Sequence, residues 1–289
     1  MFAWMTRARK RASGRFPAPP ARLRVEELES RYCPAAPVMT LNVLELARNQ
    51  VQLSGHVTDE NPTAVVVTFG GQASGVAVPN SSGDYSVIKP ASGLGMITAS
   101  GTDAEGLTSM PVLMNFTSAV PTLTLSYTWL GDRGVHLTGH VTDEFPGNRT
   151  VTFTGAASGS ATTNCHGDFA VDLTASQLGP INATVADQWY QTSPAASVTL
   201  TNSAPLIQGF TGTNLGSGVW QFTGRVVDEY SPGLVVYFSG LSGLSGLTAT
   251  VAADGTFSLT VDLQGQAGTV RCQVTDWWNV ESAFASLDV

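Results

Sequence analysis

Apolar and polar residues alternate along Val51-Gln52-Leu53-Ser54-Gly55-His56-Val57-Thr58-Asp59-Glu60, the period of a strand with one buried and one wet face. The pattern returns from Val135 to Glu144 and from Trp220 to Glu229, so that Asp59, Asp143 and Asp228 stand about 85 residues apart. A repeat of this length is too long for a solenoid and suits whole small β domains in series. In the first copy an opening strand is predicted near Leu41 to Leu46, an inward row at Val65, Val67 and Phe69, and a strand at Tyr85-Ser86-Val87. A late strand over 96–103 and a closing strand around 111–116 bring the count to about seven. Gly55 falls on the buried side, where a missing side chain admits a close neighbour. Later copies keep these landmarks: Phe69 recurs as Phe153 and Phe238, Gly83-Asp84 as Gly167-Asp168 and loosely as Asp254-Gly255, and Asp103 as Asp187 and Asp276.

The pattern predicts an all-β chain: a leader over 1–37, then three tandem seven-stranded sandwiches over 38–118, 119–203 and 204–289. The linkers Ser118-Ala119-Val120-Pro121 and Ser203-Ala204-Pro205 are short and stiffened by proline, so neighbouring repeats should touch. A monomeric rod on the order of 110 to 130 Å long is expected from strand rise and loop ends.

Charged residues make up only 12% of the chain and Gly numbers 30, a composition of short strands and tight turns rather than of amphipathic helices. No apolar run is long enough for a membrane-spanning helix. Residues 1–31 hold eight of the 14 Lys and Arg but three of the 22 Asp and Glu, so the leader is net positive by five and the rest net negative by 13. Such a sparse, acidic body is a poor partner for nucleic acid and suits an extracellular surface. Cys33, Cys165 and Cys272 are too few for one disulfide per repeat. Cys272 stands where the other repeats have Ala99 and Ala183, and reads as a small buried apolar residue.

The leader starts basic but lacks the apolar run of a secretory signal. Its segment Leu23-Arg24-Val25-Glu26-Glu27-Leu28-Glu29-Ser30-Arg31-Tyr32-Cys33-Pro34-Ala35 resembles the leader motif of many large surface and secreted proteins of planctomycetes. That resemblance implies export, and hence an extracellular or cell-surface location; the alternative is a basic disordered arm. Gly224-Arg225-Val226-Val227-Asp228, Asp254-Gly255-Thr256-Phe257 and Ala183-Thr184-Val185-Ala186-Asp187 resemble the motifs of bacterial immunoglobulin-like repeats, of the Big and cadherin-like kind. The resemblance covers nearly everything after the leader. It implies sandwiches that serve as stalks and spacers of surface proteins and adhesins.

Two sets of residues are candidates for more than packing. Asp143, Glu144, Asp168 and Asp187, with Asp228, Glu229 and Asp276 in the next repeat, are expected at one end of each sandwich. They either supply oxygens to calcium, as the cadherin-like resemblance implies, or accept hydrogen bonds from turn N–H groups. Beside them stand Phe145, Trp189, Tyr190, Tyr230, Trp277 and Trp278, whereas the first repeat has Asn61 and Ala104-Glu105. Only the second and third repeats have a predecessor to face, so these rings are expected in interdomain joints. The rival is that they bind sugars or other surface proteins. His56 and His140 have no nucleophile or second ligand at a fixed offset, so no enzyme is expected. A non-enzymatic structural spacer is the leading reading, and an adhesion or carbohydrate-binding module the alternative.

Overall fold

The computed structural model describes residues 34–289; Cys33 and most of the export-type motif lie outside the described residues. Residues 36–289 form one compact unit. It is built of antiparallel sheets, and no α-helix occurs among the described residues.

The first sheet pair contains β1 (Val38–Met39), β2 (Asn42–Leu46), β3 (Gln50–Thr58), β4 (Val66–Gly71), β5 (Gly75–Ala77), β6 (Asp84–Pro90), β7 (Gly95–Thr102) and β8 (Val112–Phe116). One sheet sets β1 and β2 on one side of β3 and β6 on the other; the second runs β5-β4-β7-β8. β1 and β2 are halves of a single edge strand, since both keep one register against β3 and the Thr40 N–H between them donates to the His56 carbonyl at 2.9 Å. The pair is therefore seven-stranded in effect.

The second pair contains β9 (Thr122–Gly131), β10 (Gly134–Thr142), β11 (Thr150–Gly155), β12 (Gly159–Thr162), β13 (Asp168–Thr174), β14 (Gly179–Val185) and β15 (Ala196–Leu200). The third contains β16 (Leu206–Gly216), β17 (Val219–Val227), β18 (Val235–Ser239), β19 (Thr248–Thr250), β20 (Thr256–Asp262), β21 (Thr269–Thr275) and β22 (Ala285–Asp288). Their sheets, β13-β10-β9 with β12-β11-β14-β15 and β16-β17-β20 with β19-β18-β21-β22, repeat the first topology. The architecture is that of immunoglobulin-like sandwiches in series, and each has its own hydrophobic core.

Alternation explains each core. Val51, Leu53 and Val57 on β3 are fully buried, as are Val135, Leu137 and Val141 on β10. The glycine between them makes room for an aromatic ring. A Cβ on Gly55 would collide with the Thr40 carbonyl and Tyr85, one on Gly139 with Phe169, and one on Gly224 with Phe257. Those rings meet Phe69, Phe153 and Phe238 at 5.8, 5.9 and 6.1 Å between centroids, tilted toward edge-on, within the spacing aromatic pairs prefer. The Gly-x-Val-x-Asp and Asp-Gly-x-Phe motifs thus interlock through one contact. In the first repeat the Tyr85 hydroxyl also donates to the Thr40 carbonyl at 2.5 Å.

The loop Gly240 to Leu247, which reads as low-complexity sequence, is packed: its 3-10 turn Ser242–Leu244 buries Leu244 completely. Cys272 is fully buried opposite Phe238, the place that Ala99 and Ala183 hold opposite Phe69 and Phe153.

Candidate functional site

The candidate residues cluster where one sandwich meets the next, and two turns place them. The first joins the two opening strands of each repeat. Arg48 and Asn49, Asp132 and Arg133, and Ser217 and Gly218 all have positive φ, the left-handed pair of a type I′ turn; two residues separate the paired strands in the second and third repeats and three, Ala47 to Asn49, in the first. The second follows β7, β14 and β21. There Asp103, Asp187 and Asp276 are buried and cap the turn: Asp187 Oδ1 accepts from Trp189 N and Gln191 N at 2.7 and 2.8 Å, Asp276 Oδ1 from Trp278 N and Val280 N at 2.8 Å each, and Asp103 Oδ1 from Leu107 N at 2.7 Å.

The two turns meet at both junctions. Between the first and second repeats, Asn49 Nδ2 donates to the Gln188 carbonyl at 2.5 Å. The next ring, Trp189, is 9% exposed and joins the first repeat's core, edge-on to Phe116 at 5.2 Å. Its Nε1 donates to Glu45 Oε1 at 2.6 Å, as does Gln188 Nε2 at 2.6 Å. Between the second and third repeats, Arg133 Nε donates to the Trp277 carbonyl at 3.2 Å. The next ring, Trp278, packs on the second repeat's core beside Trp129 at 5.9 Å, with the Arg133 guanidinium 5.2 Å from its centroid. Tyr230 lies against Gly131, where a Cβ would stand 2.6 Å from the ring, and Trp277 Nε1 donates to the Tyr230 carbonyl at 3.1 Å. A donor on the hairpin turn therefore holds the carbonyl after the capping aspartate, and the following tryptophan enters the preceding sandwich.

Tyr190 is not part of this arrangement. It occupies the left-handed position of the capped turn, φ 64°, which Gly106 and Asn279 fill in the other repeats, and its ring is 88% exposed. Phe145 is half-buried, and its carbonyl accepts from Arg149 Nε at 2.9 Å. Sequence reasoning missed the receiving side: Glu45, Asn49, Trp129 and Arg133.

The acids do not converge as expected. Asp168 lies on an outer sheet face, where its carboxylate takes a hydrogen bond from His140 Nδ1 at 2.8 Å and Asn164 Nδ2 at 3.3 Å; these bonds hold its pKa below the ordinary value. Strand alternation turns it away from the interior. Asp143 Oδ1 accepts from Glu144 N at 2.8 Å, and Glu229 Oε1 from Ser203 N at 2.9 Å. Burial, then the hydrogen-bonded and negative neighbours Glu144 and Glu229, push Asp143 and Asp228 up to about 6. Among the described residues no three Asp, Glu, His or Cys side chains are grouped to hold a metal. Calcium takes six to eight oxygens. Among the described residues the buried carboxylate oxygens without a hydrogen-bond partner are Asp59 Oδ2, Asp103 Oδ2 and Asp228 Oδ1, a donor set that does not fit it.

No protein-family model and no curated protein matches the chain. Solved structures that it is similar to include the BSP domain of a biofilm associated protein, at 10% identity over 91% of this chain and 67% of that one, with a TM-score of 0.28. Invasin, a bacterial integrin-binding protein, matches at 16% identity with a TM-score of 0.35; 87% of this chain is covered, and the match spans 60% of the invasin chain. The chicken CNTN1 FN1-FN3 domains match at 12% identity, 89% of this chain and 98% of that one, with a TM-score of 0.27. Among the described residues no helix is long and apolar enough to cross a membrane.

Proposed function

We propose that the chain is a non-enzymatic spacer of a secreted or cell-surface protein, in which 38–118, 119–203 and 204–289 are separate domains held at fixed angles. The observation that carries this reading is Trp189, a ring of the second repeat buried in the first repeat's core with its N–H on Glu45. Each well-buried ring adds about 1.5 to 3 kcal/mol to its junction. A flexible tether would leave such rings in water.

The test is small-angle scattering of the full chain and its Trp189→Ala/Trp278→Ala variant. The spacer reading expects a broader distribution of interatomic distances in the variant, with both proteins still folded by circular dichroism. Identical scattering would sink it. The reading also takes the acids as turn caps, so melting curves in calcium and in chelator should overlay; a rise of several degrees in calcium would instead signal a native-state ligand.

A binding module is the second reading, and Tyr190 favours it. A bulky residue at positive φ is strained by about 1 kcal/mol or more. Here the strain presents an aromatic ring to solvent, where neither packing nor turn chemistry asks for one.

A further inference from the structure

The first junction leaves a cleft of about 450 Å³ between the hairpin turn at 47–49 and the second repeat's loop at 144–149, within the range of small-ligand sites, about 300 to 1,000 Å³. Arg48 and Arg149 both line it. They are two of the six cations that follow the leader, in a body otherwise net negative. Among the described residues neither guanidinium has a carboxylate within ion-pair distance, although the Arg149 charge acts on Asp143 nearby. The Nε bond to the Phe145 carbonyl fixes the Arg149 fork and leaves its terminal nitrogens for a ligand. Phe145 adds an aromatic wall, Asn148 an amide and Glu144 an acid.

We infer that this cleft binds a carboxylated sugar. A planar carboxylate matches the arginine fork, the amide suits hydroxyl groups, and an aromatic face suits a sugar ring. A densely charged polyanion is disfavoured, because Glu144 lines the same cleft and the surrounding body is acidic. The fixed junction of the spacer reading supplies the cleft's two walls, and the sugar would give that junction a ligand.

Cys165 reports on the site, since it lines the cleft and is exposed, whereas Cys272 is buried. In the full chain carrying Cys33→Ser, the rate of Cys165 alkylation by iodoacetamide is followed with oligogalacturonate, with its carboxyl-reduced neutral counterpart and with oligoglutamate. Oligogalacturonate alone should slow the reaction several-fold at saturation. Arg48→Asn, which suits the left-handed turn, and Arg149→Gln should each raise the dissociation constant about tenfold, the loss of one charge-assisted contact. Because Arg149→Gln also removes the bond to Phe145, Arg48→Asn is the deciding variant, and its unchanged scattering would show the junction intact. Equal protection by the neutral oligomer or by oligoglutamate would overturn the inference. So would no protection, or full affinity in Arg48→Asn.

Discussion

Trp189 and Trp278 stand at the same place in their repeats, two residues after homologous capping aspartates, yet opposite chemistry receives them. At the first junction the ring gives its N–H to Glu45, which also takes the Gln188 amide. At the second the ring lies against Trp129 and under a guanidinium. The capped turn fixes where the ring goes; the preceding hairpin decides what holds it. A carboxylate clasp is directional and costly to half-break, because a half-buried acceptor that loses a donor is left short of a partner. A stacked contact degrades gradually with lost area.

Truncating the two rings should separate the junctions most. Trp189→Ala should destabilise by about 3 kcal/mol, a buried ring lost together with a partner of Glu45, and Trp278→Ala by about half that. Differential scanning calorimetry should show the larger loss for Trp189→Ala. Phenylalanine sharpens the contrast: Trp189→Phe should remain clearly destabilised, since it removes the N–H, while Trp278→Phe should come close to the parent. Equal losses in Trp189→Phe and Trp278→Phe would show that the Trp189 N–H adds nothing to the junction.

A smaller effect separates the first repeat's capped turn from the second's. Gln191 Nε2 donates to Asp187 Oδ2 at 3.0 Å and to the linker carbonyl of Ser118 at 3.2 Å. Asn202 Nδ2 serves Asp276 Oδ2 at 2.7 Å. Leu107 holds the place of Gln191 in the first repeat, its carbonyl accepting from Asp103 N as Gln191's does from Asp187 N, and Asp103 Oδ2 is buried without a partner. Leu107→Gln should therefore stabilise by about 1 kcal/mol, and Gln191→Leu should cost at least as much. Urea unfolding midpoints of the two exchanges should move in opposite directions; movement in the same direction would mean that the amide is not what Asp103 lacks.

Much of this was legible in residues and some was not. Alternation around Gly55, Gly139 and Gly224 located strands and core, and the aromatic residues beside the aspartates marked the group to which the two rings that enter a neighbour, Trp189 and Trp278, belong. Tyr190 misleads because adjacency to Trp189 says nothing about φ: it falls on the left-handed position of the turn and faces solvent. Asp168 misleads because strand alternation sends it to the outer face while its motif partner Gly167 stays in the turn. Glu45, Asn49 and Arg133 carry no pattern of their own, and matter only because the hairpin places Glu45 on its strand and Asn49 and Arg133 on its left-handed turn against another repeat. Such long-range geometry has no period to read.

The last contrast lies between acids rather than rings. Asp143 and Asp228 are pushed from 3.8 up to about 6 by burial first and by Glu144 and Glu229 next. A carboxyl whose pKa is higher folded than unfolded binds more protons in the native state between those values, so stability falls as pH rises from about 4 to about 6 and then levels off. Asn at either position keeps an oxygen for the turn N–H groups and imitates the protonated acid. The Asp143→Asn/Asp228→Asn variant should melt above the parent at pH 8, on the order of one degree per site for groups this solvent-screened, and the two proteins should converge near pH 4. The difference between their melting curves, followed from pH 4 to pH 8, isolates the two Asp-Glu pairs from the titrating side chains elsewhere. A difference that does not change with pH would place the coupled protons elsewhere.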